Sequence, residues 1–547
     1  GRRLVAIADP HLKADPRYEV HATAETRGWL VRSARNTTFV GKCWPGDSTY
    51  LDFFQPAARD YWTSLYTGGP LPSASVDGQA RDVSGGVGLG WPTWLHAWND
   101  MNEPSVFDSE ELTLPRDAIH HVGSLPSDLS IDEEEEALDV EHRVVHNAYG
   151  ALQIASTHAG LVARSRGTER PFLLSRSFFV GSQRHGAVWT GDNTASWSHL
   201  RLSFAMLLSL SVSGFSFVGA DVGGFFGQPS PQLLASWYQA AAYLPFFRGH
   251  AHVDEARREP YLLPQPYASV AIEAIRERQR LMPYWTTIWY HAAHADGAIG
   301  APVISPPWLH FPPTPSDGTE DARVLLRTEG QWMVGEAILV QPVAMPDVAT
   351  VTVRLPSTRA TRWYDVSGVL PAARGGEELT VATPLAVTPT FQRGGTIVPR
   401  RERVRRSALL AINDPLTLHI APNSTHGARG QLFLDDGVST PLAAREAVLV
   451  DFSFRCEVGD TCELRSSPTR LWGAASERDV HVEAVLIRGM RLPGKMARAV
   501  LTVHGESSVE VEVQVHETPS GLLIPKLKAP ARKAGWTLRL AAVPGSE

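Results

Sequence analysis

Cysteine is scarce in this chain, with three residues in 547, too few for a disulfide scaffold. Cys456 and Cys462 stand six apart in CEVGDTC. That spacing could close a small local disulfide, leaving Cys43 without a partner; the plainer reading keeps all three reduced and buried. No apolar run reaches the ~18 residues of a membrane-spanning helix. Positive charge is not in excess: the formal net charge is −7, which argues against nucleic acid or an anionic membrane as partner. The opening Gly1-Arg2-Arg3-Leu4 reads directly as a strand and carries no signal-peptide pattern. No internal repeat is visible. Tryptophan is plentiful, at 16 residues. Indole faces stack on the C–H faces of sugars, although core packing is the ordinary use of the residue. At 547 residues the chain is too long for one core, so three or four domains or subdomains are expected.

The chemistry concentrates at two strand ends. The apolar run from Trp91 to Trp98 leads into Asn99-Asp100-Met101-Asn102-Glu103, and Trp189-Thr190-Gly191-Asp192-Asn193 forms a second such end. An isolated Asp after a strand is usually a cap or turn residue. Two such aspartates among tryptophans, at the carboxyl ends of strands where α/β barrels place their functional groups, point instead to a glycosidase pair. His250-Ala251-His252 has the alternation of two metal ligands on one strand, but no third ligand accompanies it, and no metal or cofactor is expected.

The first 295 residues alternate apolar runs with long polar or helical connections, the pattern of a parallel α/β barrel. Six runs read as barrel strands: 4–9, 94–99, 171–175, 187–190, 216–220 and 244–247. Helices are expected over Glu141–Ala163, Ser198–Val212, Pro231–Ala242 and Ser269–Ala293. The connections 10–93 and 101–139 are too long for ordinary loops and read as inserted subdomains. The Gly/Ser/Pro-rich stretch 68–90 and the acidic run Asp132–Glu136 within them read as solvated surface. Beyond residue 297, Val/Thr/Leu-rich runs between Pro and Gly turns indicate antiparallel β-sandwiches over 297–385 and 386–547.

WNDMNEPSVF (98–107) resembles the nucleophile signature of glycoside hydrolase family 31, the α-glucosidase family, and AVWTGDN (187–193) resembles its acid/base segment. VAIADPHLKAD (5–15), KCWPGDSTYLDF (42–53), PFLLSRSFF (171–179), FVGADVGGFF (217–226) and PFFRGHAH (245–252) are similar to further motifs of that family. TLPRDAIHHVG (113–123), VEHRVVHNAYG (140–150) and GSQRHGAVWTGDN (181–193) resemble its endoplasmic-reticulum glucosidase II α-subunit branch. The resemblance covers roughly residues 4–400. It implies a (β/α)8 TIM barrel over 1–296, inserted subdomains at about 10–93 and 101–139, then proximal (297–385) and distal (386–547) β-sandwiches. VAIADPH resembles the third barrel strand of the family, so the chain is expected to supply strands three to eight and to need its first two from a preceding segment of the same protein.

The resemblance assigns Asp100 as nucleophile and Asp192 as acid/base. Arg176 is the candidate to keep Asp100 ionised and to contact substrate hydroxyls. His250 matches a histidine that binds a sugar hydroxyl; Trp44, Trp98, Asp221, Phe225 and Met101 match positions of the first subsite, with Asp9 and Trp189 beside them. Glu103, three residues after Asp100, is read as supporting the nucleophile. Two departures stand out: Val144 occupies a position where relatives carry Asp, and the stretch before WNDMNE is unusually long. The implied activity is retaining hydrolysis of terminal α-linked glucose, α-1,3-linked on a high-mannose N-glycan, without a cofactor, in the endoplasmic reticulum lumen beside a lectin-like β subunit. A maltose/starch-type α-1,4-glucosidase and an inactive glycan-binding fragment are the alternatives. The sequons Asn36-Thr37-Thr38 and Asn423-Ser424-Thr425 agree with a luminal location.

Overall fold

The computed structural model describes residues 2–67, 90–122, 138–294, 300–312, 330–357, 360–440, 447–457, 461–472, 480–491, 497–504, 509–532 and 534–542. Nearly all of the Gly/Ser/Pro-rich stretch 68–90, and all of Asp132–Glu136, lie outside these residues. The chain divides into two compact units, Gly1–Trp189 and Thr190–Glu547.

In the first unit four strands lie side by side in chain order: β1 (Leu4–Ile7), β2 (Leu95–Asn99), β3 (Leu173–Ser175) and β4 (Ala187–Trp189). Each adjacent pair is parallel. Parallel pairing puts all four carboxyl ends on one edge, so Asp9, Asp100 and Arg176 emerge close together just beyond β1, β2 and β3. Asn99 fastens that edge: its Nδ2 donates to Ala8 O at 2.9 Å and its carbonyl accepts Arg176 N–H at 3.1 Å.

Two helices, α1 (Pro56–Ser64) and α2 (Tyr149–Arg164), pack beside the strands. Gly160 permits their close approach, because a Cβ there would lie 2.8 Å from Thr63 O. Trp62 Nε1 then donates to Thr157 Oγ1 at 2.8 Å. Tyr50, Leu51, Phe53, Tyr149 and Leu161 complete a core with almost no solvent exposure. The single helix expected over 141–163 is interrupted: a short helix His142–Val145 and a 3₁₀ turn His146–Ala148 precede α2. The cause is a buried side-chain chain that fixes the histidines. Asp52 Oδ1 accepts from His120 Nδ1, His120 Nε2 meets His142 Nδ1, and His142 Nε2 meets His146 Nδ1, each at 2.8 Å. Val144 is 72% exposed, so its departure from Asp alters only the surface.

The second unit includes β5 (Val218–Gly219) and the longer helices α3 (Trp197–Val212), α4 (Pro231–Ala241), α5 (Tyr267–Arg280) and α6 (Met282–Ala293). The helix expected over 269–293 is two helices, with Pro283, which lacks the N–H needed to continue a helix, opening the second. The strand expected at 244–247 is corrected: Leu244, Pro245 and Phe246 bend and Phe247 has no regular structure. Pro245 offers no ladder donor, and the Arg278 guanidinium takes the Ala242, Leu244 and Pro245 carbonyls. What remains of pairing is Phe246 N–H to Val218 O and a parallel bridge between Val222 and Gly249.

Sheets follow that are antiparallel except for two parallel pairs in the largest, Thr396–Arg400 with Gly427–Leu434 and Leu416–Ala421 with His481–Arg488, which corrects the expectation of purely antiparallel sandwiches. A six-stranded sheet, beginning at Ile304–Ser305, takes in Thr390–Arg393 as a central strand, so it extends past the expected boundary at 385. A two-stranded ribbon pairs Thr350–Arg354 with Glu378–Ala382. An eleven-stranded sheet starts at Thr396–Arg400 and closes on a core that includes Leu418, Leu432, Phe452, Ile487 and Trp536. Cys456 and Cys462 are joined by a disulfide; Cys43 is free and buried.

Candidate active site

The first unit holds one group of the candidate residues. Asp100 directly follows β2, and its carboxylate is anchored from two sides. The Met101 N–H donates to Asp100 Oδ1 at 2.8 Å, and Arg176 Nε stands 3.2 Å from the same oxygen. Met101 adopts φ of 55°, a left-handed conformation that costs a non-glycine residue ~1–2 kcal/mol. That strain folds the chain back onto the carboxylate it has just left. Arg176 Nε also donates to Glu103 Oε1 at 2.8 Å, its Nη2 reaches Glu103 Oε2 at 3.3 Å and touches Met101 Sδ, and Ser105 Oγ donates to Glu103 Oε2 at 2.8 Å. Glu103 is thus engaged in holding the guanidinium.

Sequence reasoning missed a second clasp. Buried Asn102 donates to Ser175 Oγ at 2.8 Å and accepts Ser177 N–H at 2.9 Å, joining the loops after β2 and β3. Only the serines of the SRS segment hinted at it.

Asp9 is a strongly perturbed carboxyl of this cluster. Burial first, then the neighbouring Asp100 charge and Glu103, push it up to about 7 against the lowering influence of Arg176. Its Oδ1 is buried without a hydrogen-bond partner among the described residues, while Oδ2 lies 3.3 Å from His11 Nε2. Burial depresses His11 to about 4, so the imidazole is neutral near pH 7 and supplies no counter-charge.

The aromatic candidates differ in access. Trp44 is 69% exposed and meets the half-exposed Phe107 edge-on at 4.8 Å. Its hairpin tip is tied to the loop after β2 by Phe107 N–H to Lys42 O and by Lys42 N–H to Asp108 Oδ1. Trp98 is half-buried, with the edge of Trp189 against it at 5.3 Å and 82°. Trp189 itself is 1% exposed; it shores up Trp98 and offers no open face of its own.

The second unit holds Asp192, Asp221, Phe225 and His250. Asp192 is exposed and its neighbour Asn193 buried. Asn193 Nδ2 donates to Asp221 O at 3.1 Å and its Oδ1 accepts Phe225 N–H at 2.9 Å. Asp221 is 0% exposed and is held by Arg248 Nε and Nη2, so it serves to position the strand end rather than to line open space. Arg248 had not been singled out from the sequence. Gly224 (φ 84°) lets the following loop pack beneath Ala195, whose nitrogen a Cβ would meet at 2.3 Å. Phe225 packs at 5.3 Å from His250, which burial first, then Arg248 and Arg258, depress to about 4. Among the described residues no group of three or more His, Cys, Asp or Glu is placed to hold a metal ion.

Acids, a guanidinium and indoles at the carboxyl edge of parallel strands define a protein of the (β/α)-barrel class with a site suited to sugars. The chain belongs to glycosyl hydrolase family 31. The family's TIM-barrel domain matches residues 1–288 and its C-terminal domain residues 300–398; a TIM-barrel domain is therefore followed by C-terminal sheet domains. Neutral alpha-glucosidase AB of Mus musculus is 40% identical over 540 residues, 98% of this chain and 51% of that protein. A crystal structure of glucosidase II alpha subunit in its alpha3-Glc2-bound form superposes with a TM-score of 0.82 at 32% identity, over 98% of this chain and 54% of that one. An ER glucosidase II heterodimer, comprising the catalytic subunit and the binding domain of the regulatory subunit, gives 0.81 at 33% identity, with the same coverage. The chain spans about half the length of the curated relatives it matches.

Proposed function

We propose that this chain carries the catalytic machinery of a retaining α-glucosidase. The observation that carries the reading is the Asp100 carboxylate, presented at the end of β2 and braced by Met101 N–H and Arg176. An adjacent cation favours the ionised form that a nucleophile needs.

In this reading Asp100 attacks the anomeric carbon while Asp192 protonates the glycosidic oxygen, and the leaving sugar departs. A β-glucosyl ester on Asp100 results. Water then attacks the same carbon, Asp192 accepts its proton, and α-glucose is released with Asp100 regenerated. Retention requires the two carboxyl groups to stand ~5–5.5 Å apart. Asp9 Oδ1, buried and unpartnered among the described residues, is suited to bond a sugar hydroxyl; Trp98, Arg176 and His250 are the further residues proposed to contact the sugar. Asp221 and Trp189 are both buried, which suits a supporting role. The reaction calls for no cofactor.

The substrate we propose is terminal α-1,3-linked glucose on a high-mannose N-glycan, processed in the endoplasmic reticulum lumen beside a lectin-like β subunit. Support comes from the relatives: one solved glucosidase II alpha subunit holds alpha3-Glc2 and another is paired with a regulatory-subunit domain. β1 lies at the edge of its sheet, with Leu4, Val5 and Ile7 exposed. We place against it the first two barrel strands, from elsewhere in the same polypeptide.

A mechanism-based cyclitol epoxide tests the core of the proposal. It is expected to esterify Asp100, as peptide mass mapping would reveal; a label on Glu103 would overturn the assignment. Faster hydrolysis of nigerose (α-1,3) than of maltose (α-1,4) is expected, and the reverse order would favour the maltose/starch-type enzyme.

A further inference from the structure

Beside the acid/base segment the second unit builds a ladder of four rings that the catalytic assignment does not use in full. His250 packs on Phe225 (5.3 Å), Phe225 meets His252 (5.4 Å) and Phe226 (4.6 Å) edge-on, and Phe226 stacks on His252 at 5.6 Å with 30° between the planes. The outer end is open: Phe226 is 45% exposed, whereas Phe225 and His250 are half-buried. A solvent-facing Phe in a loop is ordinarily free to turn, but this one has a pinned backbone and a ring packed on His252 and Phe225. Phe226 N–H donates to Asn193 O at 2.9 Å, Phe226 O accepts Ala195 N–H at 2.8 Å, and Phe226 bridges Thr194 in parallel register. The next residues are clamped as well: Gly227 N–H and Gln228 Nε2 donate to the two Glu255 oxygens at 2.7 and 2.8 Å, and Arg258 binds the Gly223, Gly224 and Phe225 carbonyls. His252 is set by its own N–H to Phe225 O, and its Nδ1 accepts Asp254 N–H at 3.2 Å.

We propose that Phe226, backed by His252, is the stacking platform for the leaving-group sugar and so a determinant of which aglycone is accepted. The inference rests on the reading of Asp192 as acid/base. A general acid must touch the glycosidic oxygen, and the atoms beyond that oxygen belong to the departing sugar. Phe226 lies on the backbone strip paired with residues 193–195, immediately beside that acid, and it is the exposed end of the ladder while His250 and Phe225 are half-buried. The C–H bonds of a pyranose are electropositive and the face of a phenyl ring is electronegative, which makes a fixed, half-exposed Phe a good support for a sugar ring.

The test compares two substrates on the full natural polypeptide that contains this chain. α-Glucosyl fluoride has no leaving sugar; nigerose has one. Phe226→Ala is expected to lower kcat/KM for nigerose about tenfold, mostly through KM, the scale of one lost aromatic contact, while kcat/KM for α-glucosyl fluoride stays within about twofold. Phe226→Trp, which restores a stacking face, should recover most of the nigerose activity, and His252→Ala should reproduce a part of the loss. Equal losses on both substrates, or no loss on nigerose, would overturn the platform. Failure of the unsubstituted protein to hydrolyse α-glucosyl fluoride would instead remove the glycosidase reading, and this inference with it.

Discussion

The Nε atom of Arg176 stands 3.2 Å from Oδ1 of Asp100 and, at 2.8 Å, donates to Glu103. One cation therefore serves two acids three residues apart, and the geometry sorts them. Asp100 keeps one oxygen braced by a backbone N–H, while Glu103 gives both oxygens to Arg176 and Ser105. Arg176→Lys should not be a conservative change, because a single ammonium cannot reproduce the fork that reaches Glu103 and Asp100 together. Activity should fall well over tenfold, with little loss of melting temperature.

Asp192→Ala should discriminate between leaving groups. A p-nitrophenolate departs without protonation, so p-nitrophenyl α-glucoside should lose far less in the first step than a natural disaccharide, which should fall by about 10²–10⁴. Azide should then rescue the second step. Equal losses for both substrates and no rescue would remove Asp192 from the acid/base role.

Asp9 titrates in a window set by its neighbours. Its folded pKa, raised to about 7 from 3.8, means that the folded state holds this proton more tightly than the unfolded chain. The stabilisation is complete below pH 3.8 and is lost as pH rises through 7. Asp9→Asn, which mimics the protonated form, should flatten the decline of thermal stability between pH 4 and 7 and melt higher than the parent at pH 8. An unchanged pH profile would show that Asp9 does not carry this proton.

The histidine chain has the opposite sign. Burial first, and then His120 and His146, depress His142 to about 3 from 6.5, so the folded state excludes a proton that the unfolded chain accepts. Stability from this group is present above pH 6.5 and is lost as pH falls towards 3. His142 engages both ring nitrogens, Nδ1 towards His120 Nε2 and Nε2 towards His146 Nδ1, one as donor and one as acceptor, which a neutral imidazole satisfies and a protonated one, with two donors and no acceptor, does not. His142→Gln can still donate and accept but does not titrate. It should lessen acid lability between pH 6.5 and 4, as followed by near-ultraviolet circular dichroism.

How much of this was legible in the sequence depended on range. The ends of β2 and β3 were readable because Asp100 and Arg176 immediately follow short apolar strands, and helix α3 because its residues are apolar on nearly every face. Interactions between distant segments were not. Nothing near His120 in the chain announces Asp52, and Arg248 gives no local sign that it neutralises Asp221. The run at 244–247 looked like a strand because apolar content is all a sequence pattern sees; the Arg278 guanidinium that takes its carbonyls arrives from 31 residues beyond it.

The same distance governs the last prediction. Buried Arg400 forms a bidentate pair with Glu277 of α5, at 2.8 and 2.7 Å, and a third bond to Glu402 at 2.8 Å. The three charges join the helix to the first strand of the eleven-stranded sheet. Burial works against the charge on Arg400, but Glu277 and Glu402 together hold its pKa above the ordinary arginine value. Glu277→Ala would strip two of those bonds and leave a buried guanidinium half-paired, which should cost ~3–5 kcal/mol. The double variant Glu277→Leu/Arg400→Met, which removes both charges at similar volume, should recover most of that loss, because a well-packed apolar pair often equals or exceeds a buried ion pair. Denaturant melts of parent, single and double variants make the comparison. If the double variant is no more stable than the single, the loss comes from packing of α5 on the sheet and not from an unpaired charge.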